Sequence, residues 1–183
     1  MSKGLTIPAE DALRIAKRHM VGIALLDSTE KIAIVGSLRR YEYGKTSEEN
    51  PMTSVNDIDY QVITSSRGMS DIENYFWDKD WTCESSGDRR AIFKAMSGVY
   101  INVFNTDTCS WGAALMHNTG PRRYNIRKRA MIKRKDMILN QYCLYRRNEN
   151  GDDPVDFKLI AGETEKDIYD ALGWAYCKPE DRE

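Results

Sequence analysis

Histidine, cysteine and proline are all scarce in this chain. Its 183 residues include two histidines, four cysteines and five prolines. The cysteines stand far apart, at positions 83, 109, 143 and 177, which excludes the paired ligand spacing of a zinc site. Cysteines so scattered also argue against a disulfide framework. We therefore expect a reducing cytoplasmic setting, or a virion or viral factory if a virus encodes the chain.

Long apolar runs are absent as well. No run approaches the roughly 18 residues that a membrane-spanning helix needs, and the first residues lack the apolar core of a signal peptide. With 41% hydrophobic and 30% charged residues, the composition is typical of a globular protein. The length allows one domain or two small lobes. We expect a monomer that has no membrane partner.

The small net charge of −1 conceals a strong segregation. Residues 122–147 contain ten Lys or Arg and one acid, Asp136, so this segment carries +9 and the remainder −10. Screening over a Debye length of about 8 Å leaves such a local patch effective despite acids elsewhere. The segment is either a solvated basic helix or an anion-binding face, for which nucleic acid is the obvious partner.

The stretch from residue 32 to residue 63 is the most informative. A short apolar strand, Ile32–Val35, leads into Gly36 and Ser37 and then two arginines. A later strand begins with Asp57 and Asp59, which share a face because strand side chains alternate. Two carboxylates side by side repel each other and favour a cation, whereas a Gly-Ser junction suits phosphate. Together these features predict nucleotidyl transfer.

Asn102 is predicted to lie near those carboxylates. It lies on a strand in which Val99, Ile101 and Val103 share the opposite, apolar face. If that strand neighbours the Asp57 strand, the amide comes to lie beside the acids.

The remaining pattern predicts an α+β protein of two lobes joined near Thr108. Thr6 is expected to cap the first helix, with Pro8 in its first turn. Thr164 and Asp167 match a capping box that opens the last helix. Further helices are predicted at 70–78, 109–117 and 122–135, and further strands at 91–96, 138–145 and 157–160.

Five motifs occur in the order found in family X DNA polymerases, and the chain resembles that family over nearly its whole length beyond about residue 8. They are GSLRR, NDID, HNTGPRRYNIRKRA, LNQYCLYR and TEKDIYDALGWAYCKPEDRE. The resemblance implies a nucleotidyltransferase-type palm with a mixed β-sheet and flanking helices at 1–108, and a small α+β thumb at 109–183. A lyase domain is not expected.

The resemblance also implies the site. Asp57, Asp59 and Asn102 stand at the catalytic and metal-ligand positions for two Mg²⁺ ions, which Mn²⁺ can replace. The expected nucleotide contacts, for a dNTP, are Gly36, Ser37, Arg40, Asn56, His117, Asn118, Gly120 and Asn125. The expected contacts to primer–template or gapped DNA are Arg127, Lys128, Arg129, Lys133, Arg134 and Lys135.

Two positions depart from the family pattern. Asn102 stands where relatives carry a third Asp, and an amide has no charge and cannot take a proton. This implies either a slow or inactive natural enzyme or a substitution that traps a complex. Asn118 replaces a bulky aromatic residue beside the sugar, which leaves room for a 2′-hydroxyl.

Three functions therefore remain open from the sequence. The favoured one is a minimal DNA-directed DNA polymerase acting in short-gap repair. The alternatives are a template-independent nucleotidyltransferase and an inactive protein that binds gapped DNA and dNTP.

Overall fold

The computed structural model describes residues 5–43, 53–146 and 157–182, and the chain divides into two compact units, Met1–Thr106 and Asp107–Glu183. The α+β fold class is confirmed. The sequence also predicts a loop at 41–56 and a turn at 152–154, and residues 44–52 and 147–156 lie outside the described residues. Within the described ranges, none of the helices has both the length and the apolar character to cross a bilayer.

The first unit is built on a mixed five-stranded sheet. Its strands are β2 (Thr29–Val35), β4 (Asp57–Thr64), β5 (Thr82–Gly87), β6 (Arg90–Lys94) and β7 (Tyr100–Asn105). They are ordered β2-β4-β7-β6-β5, and all neighbours are antiparallel except the central pair β4 and β7. The parallel pair brings the beginnings of β4 and β7 to the same edge, so the acids and the amide enter the sheet side by side.

One face of this sheet is covered by helices α1 (Ala9–Ala24) and α3 (Gly68–Trp77). Ile58, Tyr60 and Val62 of β4 are completely buried there, as their alternation with the acids predicts. The Tyr60 hydroxyl donates to the carbonyl oxygen of Ala16 at 2.8 Å, and Phe76 stacks on Phe93. The sheet is therefore apolar on one face and carries polar side chains on the other.

The start of α1 differs from the prediction. Pro8, not Thr6, occupies the position before the helix, and no side chain caps it. Residues Ile7–Pro8 form a short strand, β1, that pairs with β3 (Ser54–Val55), and the Thr6 hydroxyl donates to the Asn56 side chain. Strand pairing has displaced the local capping preference.

The second unit packs helices α4 (Trp111–Thr119), α5 (Arg122–Lys133) and α6 (Glu165–Leu172) with a three-stranded antiparallel sheet. Its strands are β8 (Met137–Leu139), β9 (Leu144–Arg146) and β10 (Lys158–Ala161), in the order β10-β9-β8. The strand predicted at 138–145 is thus a hairpin. The Thr164 hydroxyl accepts a hydrogen bond from the Asp167 backbone N–H at 3.0 Å, which confirms the cap of α6.

Candidate active site

The paired carboxylates lie at the start of β4, on the face opposite the core. Asp59 is opposite Val35 of β2 on one side and Asn102 of β7 on the other. Burial raises the pKa of Asp59 to about 7, and the charge of Asp57 adds to that effect. Burial also raises the pKa of Asp57, against the opposing charge of Arg90. A cation placed between the two acids would relieve this repulsion.

The Gly-Ser junction at residues 36 and 37 faces the carboxylate of Asp59. Gly36 begins helix α2 (Gly36–Tyr43) with φ +67, and a Cβ on it would lie 2.1 Å from an Asp59 oxygen. Only glycine fits, both for its left-handed backbone and for the contact. Arg40, one turn along the helix, donates to the Gly36 carbonyl at 3.3 Å. The predicted phosphate-binding residues and the acids therefore adjoin one another.

Asn102 is held at both ends of its amide. Its Nδ2 donates to Oδ1 of Asp59 at 2.9 Å, and its own Oδ1 accepts from Nη2 of Arg90 at 3.0 Å. The position next to Asp59 is the one that strand alternation predicted. The amide oxygen is directed to a guanidinium in this arrangement, and an N–H faces the acid.

The donor set fits one divalent cation. Two adjacent carboxylates on a rigid strand supply the oxygen ligands that Mg²⁺ and Mn²⁺ prefer. Among residues 5–43, 53–146 and 157–182, no group of three or more His, Cys, Asp or Glu gathers as a metal site. The third carboxylate expected for a second cation is an amide here.

A second group of predicted contacts gathers within the second unit. Asn125 Nδ2 donates to the carbonyl oxygen of His117 at 2.8 Å, and Nη2 of Arg129 lies 2.7 Å from Nδ1 of His117. Since a guanidinium only donates, Nδ1 accepts and the imidazole is neutral. Burial and the charge of Arg129 lower the pKa of His117. These side chains line a shallow cleft with Met116 and Leu139.

The other predicted nucleotide contacts are placed as follows. Asn118 is half-buried on α4, and Gly120 follows the end of that helix with φ +63. Ser37 is half-buried at the start of α2, whereas Asn56 is exposed and bonded to Thr6. The structure thus collects Gly36, Ser37 and Arg40 in one unit, and His117, Asn125 and Arg129 in the other.

The predicted DNA contacts lie on α5 and on the two residues that follow it. Arg127, Lys133, Arg134 and Lys135 are exposed, whereas Lys128 is half-buried. Lys128 and Lys135 lie over the Trp174 ring, at 4.6 and 5.8 Å from its centroid. Such contacts hold the stem of a lysine while its charge stays near the surface.

Arg90 is the site residue that sequence reasoning missed. The strand predicted from the sequence begins at Ala91, so Arg90 lies outside it. Strand parity supplies the signal, because Arg90 and Ile92 share a face and Ile92 is opposite Asn102 in the ladder. An arginine two positions from a residue that faces Asn102 was therefore detectable.

The sequence of this chain is similar to those of known DNA polymerases. Residues 114–183 match the family described as DNA polymerase beta thumb. The chain is 28% identical over 160 residues to Repair DNA polymerase X of African swine fever virus, isolates Warthog/Namibia/Wart80/1980 and Tick/South Africa/Pretoriuskop Pr4/1996. Each match covers 84% of this chain and 82% of the relative. The thumb match and the two repair polymerases support a family X DNA polymerase, which the chain resembles over most of its length.

Proposed function

We propose that the chain extends a primer 3′-hydroxyl opposite a template in short DNA gaps. The observation that carries the proposal is the contact of Asp59 with the start of α2 at Gly36. It sets a cation-seeking pair of acids directly against a helix N-terminus, where a polyphosphate is stabilised. The curated relatives are named repair polymerases, which supports the repair role.

Divalent metals serve this family generally, and we propose Mg²⁺ here, with Mn²⁺ as a substitute. Asp57 and Asp59 would hold it. When bound, such an ion neutralises charge on the reacting phosphate oxygens. The two-ion arrangement of the resemblance needs a third carboxylate, and the amide of Asn102 does not supply one.

The residues of the first unit bind and orient the triphosphate. Ser37 and the backbone N–H groups at the start of α2 donate hydrogen bonds to its oxygens, and Arg40 adds a positive charge. The primer 3′-oxygen then bonds to the α-phosphorus, the bond to the bridging oxygen breaks, and pyrophosphate leaves. The hydroxyl proton passes to solvent water, since the Asn102 amide cannot take it.

The second unit, in this proposal, holds the nucleotide base and the DNA backbone. Asn125 and Arg129 are donors, and minor-groove acceptors occur on every base pair, so contacts there sense pair geometry without reading sequence. Arg127, Lys133 and Arg134 would contact phosphates. A template contact favours templated synthesis over template-independent transfer.

One observation favours a second candidate, a protein that binds gapped DNA and dNTP without turnover. The Asn102 amide donates a hydrogen bond to Asp59 and accepts one from Arg90, so both ends of the amide have a protein partner and need no metal ion. Loss of the third carboxylate should raise the activation barrier by roughly 3–5 kcal/mol, which would slow nucleotide addition by about 10²–10⁴-fold.

The test is primer extension on a one-nucleotide gap and on an open template, with the chain and with Asn102→Asp. We expect templated addition by both, at least about tenfold faster for Asn102→Asp in single turnover. Tight binding of DNA without extension by either protein would favour the second candidate. Extension that ignores the template base would favour template-independent transfer.

The same assay addresses sugar selection at Asn118. Comparison of ATP with dATP opposite T should show weak discrimination, because the side chain is smaller than the aromatic residue of relatives. Discrimination that does not change in Asn118→Tyr would contradict that expectation.

A further inference from the structure

The amide of Asn102 has a fixed orientation. A guanidinium has donors only, so Arg90 can pair with the amide oxygen and not with its nitrogen. The N–H group must then face Asp59, as the 2.9 Å contact shows. Asn102 is 8% exposed, so its amide is largely shielded from water, whereas the Arg90 residue is exposed.

Arg90 is positioned for this role by the sheet. Its strand pairs with β7 so that Arg90 is opposite Phe104, two residues beyond Asn102 on the same face. The guanidinium lies 5.3 Å from the centroid of the Phe104 ring and 3.0 Å from the Asn102 oxygen. Its charge opposes the rise in pKa of both acids, so its field reaches the pair.

Two other cations near the acids make different contacts. The charge of Arg40 lowers the pKa of Asp59, but the Arg40 guanidinium donates a hydrogen bond to the Gly36 carbonyl within α2. Lys94, on the same strand as Arg90, lies over the Tyr100 ring at 5.3 Å. Among the described residues, Arg90 is the cation whose hydrogen bond to Asn102 is seen.

We propose that the carboxylate pair holds a single divalent cation and that the Arg90 guanidinium, positioned on Asn102, supplies the positive charge that a second cation would bring. The proposal rests on the polymerase function above and changes its metal requirement. A third carboxylate would offer oxygen ligands to a second ion. Here the Asn102 N–H group faces Asp59 instead, and the positive Arg90 guanidinium lies beside the Asn102 oxygen. Two ions would also meet one fewer negative charge than in relatives with three acids, and the Arg90 guanidinium would repel the second ion.

The first test counts bound metal. Electron paramagnetic resonance would measure Mn²⁺ in a complex of the chain with dideoxy-terminated gapped DNA and a dNTP analogue that cannot be hydrolysed. We expect one Mn²⁺ per complex for the chain and two for Asn102→Asp. Two ions in the unmodified chain, or one in both proteins, would overturn the proposal. Absence of any ternary complex in either protein would overturn the polymerase function itself.

The second test removes the charge. In Arg90→Gln, without DNA or nucleotide, Mn²⁺ affinity should rise about threefold to tenfold because a neighbouring positive charge is gone. A matched control is Arg89→Gln, an exposed neighbour in the same hairpin, which should leave Mn²⁺ affinity unchanged. Equal Mn²⁺ affinity in the chain and in Arg90→Gln would contradict the role given to Arg90.

A double-mutant cycle then separates positioning from folding. Arg90→Gln should slow nucleotide addition about tenfold or more in the chain and less than about threefold in Asn102→Asp, which can take a second ion. A merely structural arginine would slow both backgrounds equally. Equal slowing would therefore overturn the proposal while the templated activity still stood.

Discussion

The two units differ in the partners that surround their buried ionisable groups. In the first, Asp57 and Asp59 share one sheet face, and burial and mutual repulsion keep the pKa of Asp59 at about 7. In the second, the fully buried Arg182 bonds Glu165 at 2.8 Å, and Tyr176 donates to the same carboxylate at 2.9 Å. The first unit thus holds two like charges whose burial is unfavourable. The second unit pairs its buried charges with opposite charges and hydrogen bonds.

This difference separates binding chemistry from architecture. A buried pair with full hydrogen bonding is a structural element, and breaking it leaves an unpaired charge. Like charges held together instead weaken the fold unless a ligand compensates them, which is typical of functional sites. In the proposed function the first unit therefore carries the reaction. Arg182, with its bond to Glu165, holds the C-terminal segment against α6 and Tyr124 of α5.

The largest expected effect is that of Asp59→Asn. It should lower nucleotide addition by about 10³-fold or more, since a metal ligand is lost. It should also stabilise the metal-free protein by about 2 kcal/mol at pH 8. The folded pKa of Asp59 is above the unfolded value, so ionisation costs stability as the pH rises from about 4 to about 7.

Urea unfolding at pH 5 and pH 8 in a chelator would measure that change in stability. The gain should be small at pH 5 and full at pH 8. Asp27→Asn, an exposed acid of the same unit, is the matched control and should alter neither stability nor activity. A variant that loses stability at pH 8 would remove the contrast between the units.

Arg182→Met should destabilise the second unit by about 3 kcal/mol, because Glu165 would remain buried without its partner. Hydrogen exchange would localise the loss to amides of residues 107–182. The double variant Glu165→Gln with Arg182→Met should recover much of it. Arg146→Met, at an exposed arginine, should cost less than about 0.5 kcal/mol. Equal losses in these two arginine variants would show that the buried pair is not structural.

His19 tests whether the first unit can also keep a buried titratable group neutral. The centroid of its ring lies 5.2 Å from those of the Phe76 and Trp81 rings. Burial, together with the positive charges of Lys79 and Arg18, lowers the pKa of His19 to about 4. The unfolded chain then binds more protons between pH 6.5 and 4, so this contribution to stability is lost as the pH falls through that range.

The stability difference between the chain and His19→Phe should therefore change by about 1–2 kcal/mol between pH 7 and pH 4, discounted for partial solvent access. Denaturant unfolding of both proteins would measure it. The comparison uses the change with pH, because the variant also loses the 3.2 Å contact to the Tyr75 hydroxyl. Parallel pH profiles would show that His19 titrates normally.

Sequence patterns predicted the positions of the candidate site residues in the first unit better than the contacts of those in the second. Strand alternation was enough to place Asp57, Asp59 and Asn102 on one face, because the period of a strand is fixed. Capping at Thr6 failed because pairing of Ile7 with Val55, distant in sequence, determined the local geometry. The bonds of His117 to Asn125 and Arg129 depend on how α4 packs against α5, which no local pattern encodes.

The smallest expected effect concerns the exposed charge of the second unit. Arg134 is exposed at the end of α5, in contrast to the buried and paired Arg182, so its charge is available to a phosphate. Arg134→Gln should reduce the slope of log affinity against log salt for gapped DNA by about 0.9, the value of one phosphate contact. Lys158→Gln on β10 carries the same charge change at an exposed position away from α5 and should leave the slope unaltered. Fluorescence anisotropy across a salt series would compare them. If both variants shifted the slope equally, the protein would be responding to net charge rather than to a DNA-binding face, and α5 would have no special part in holding DNA.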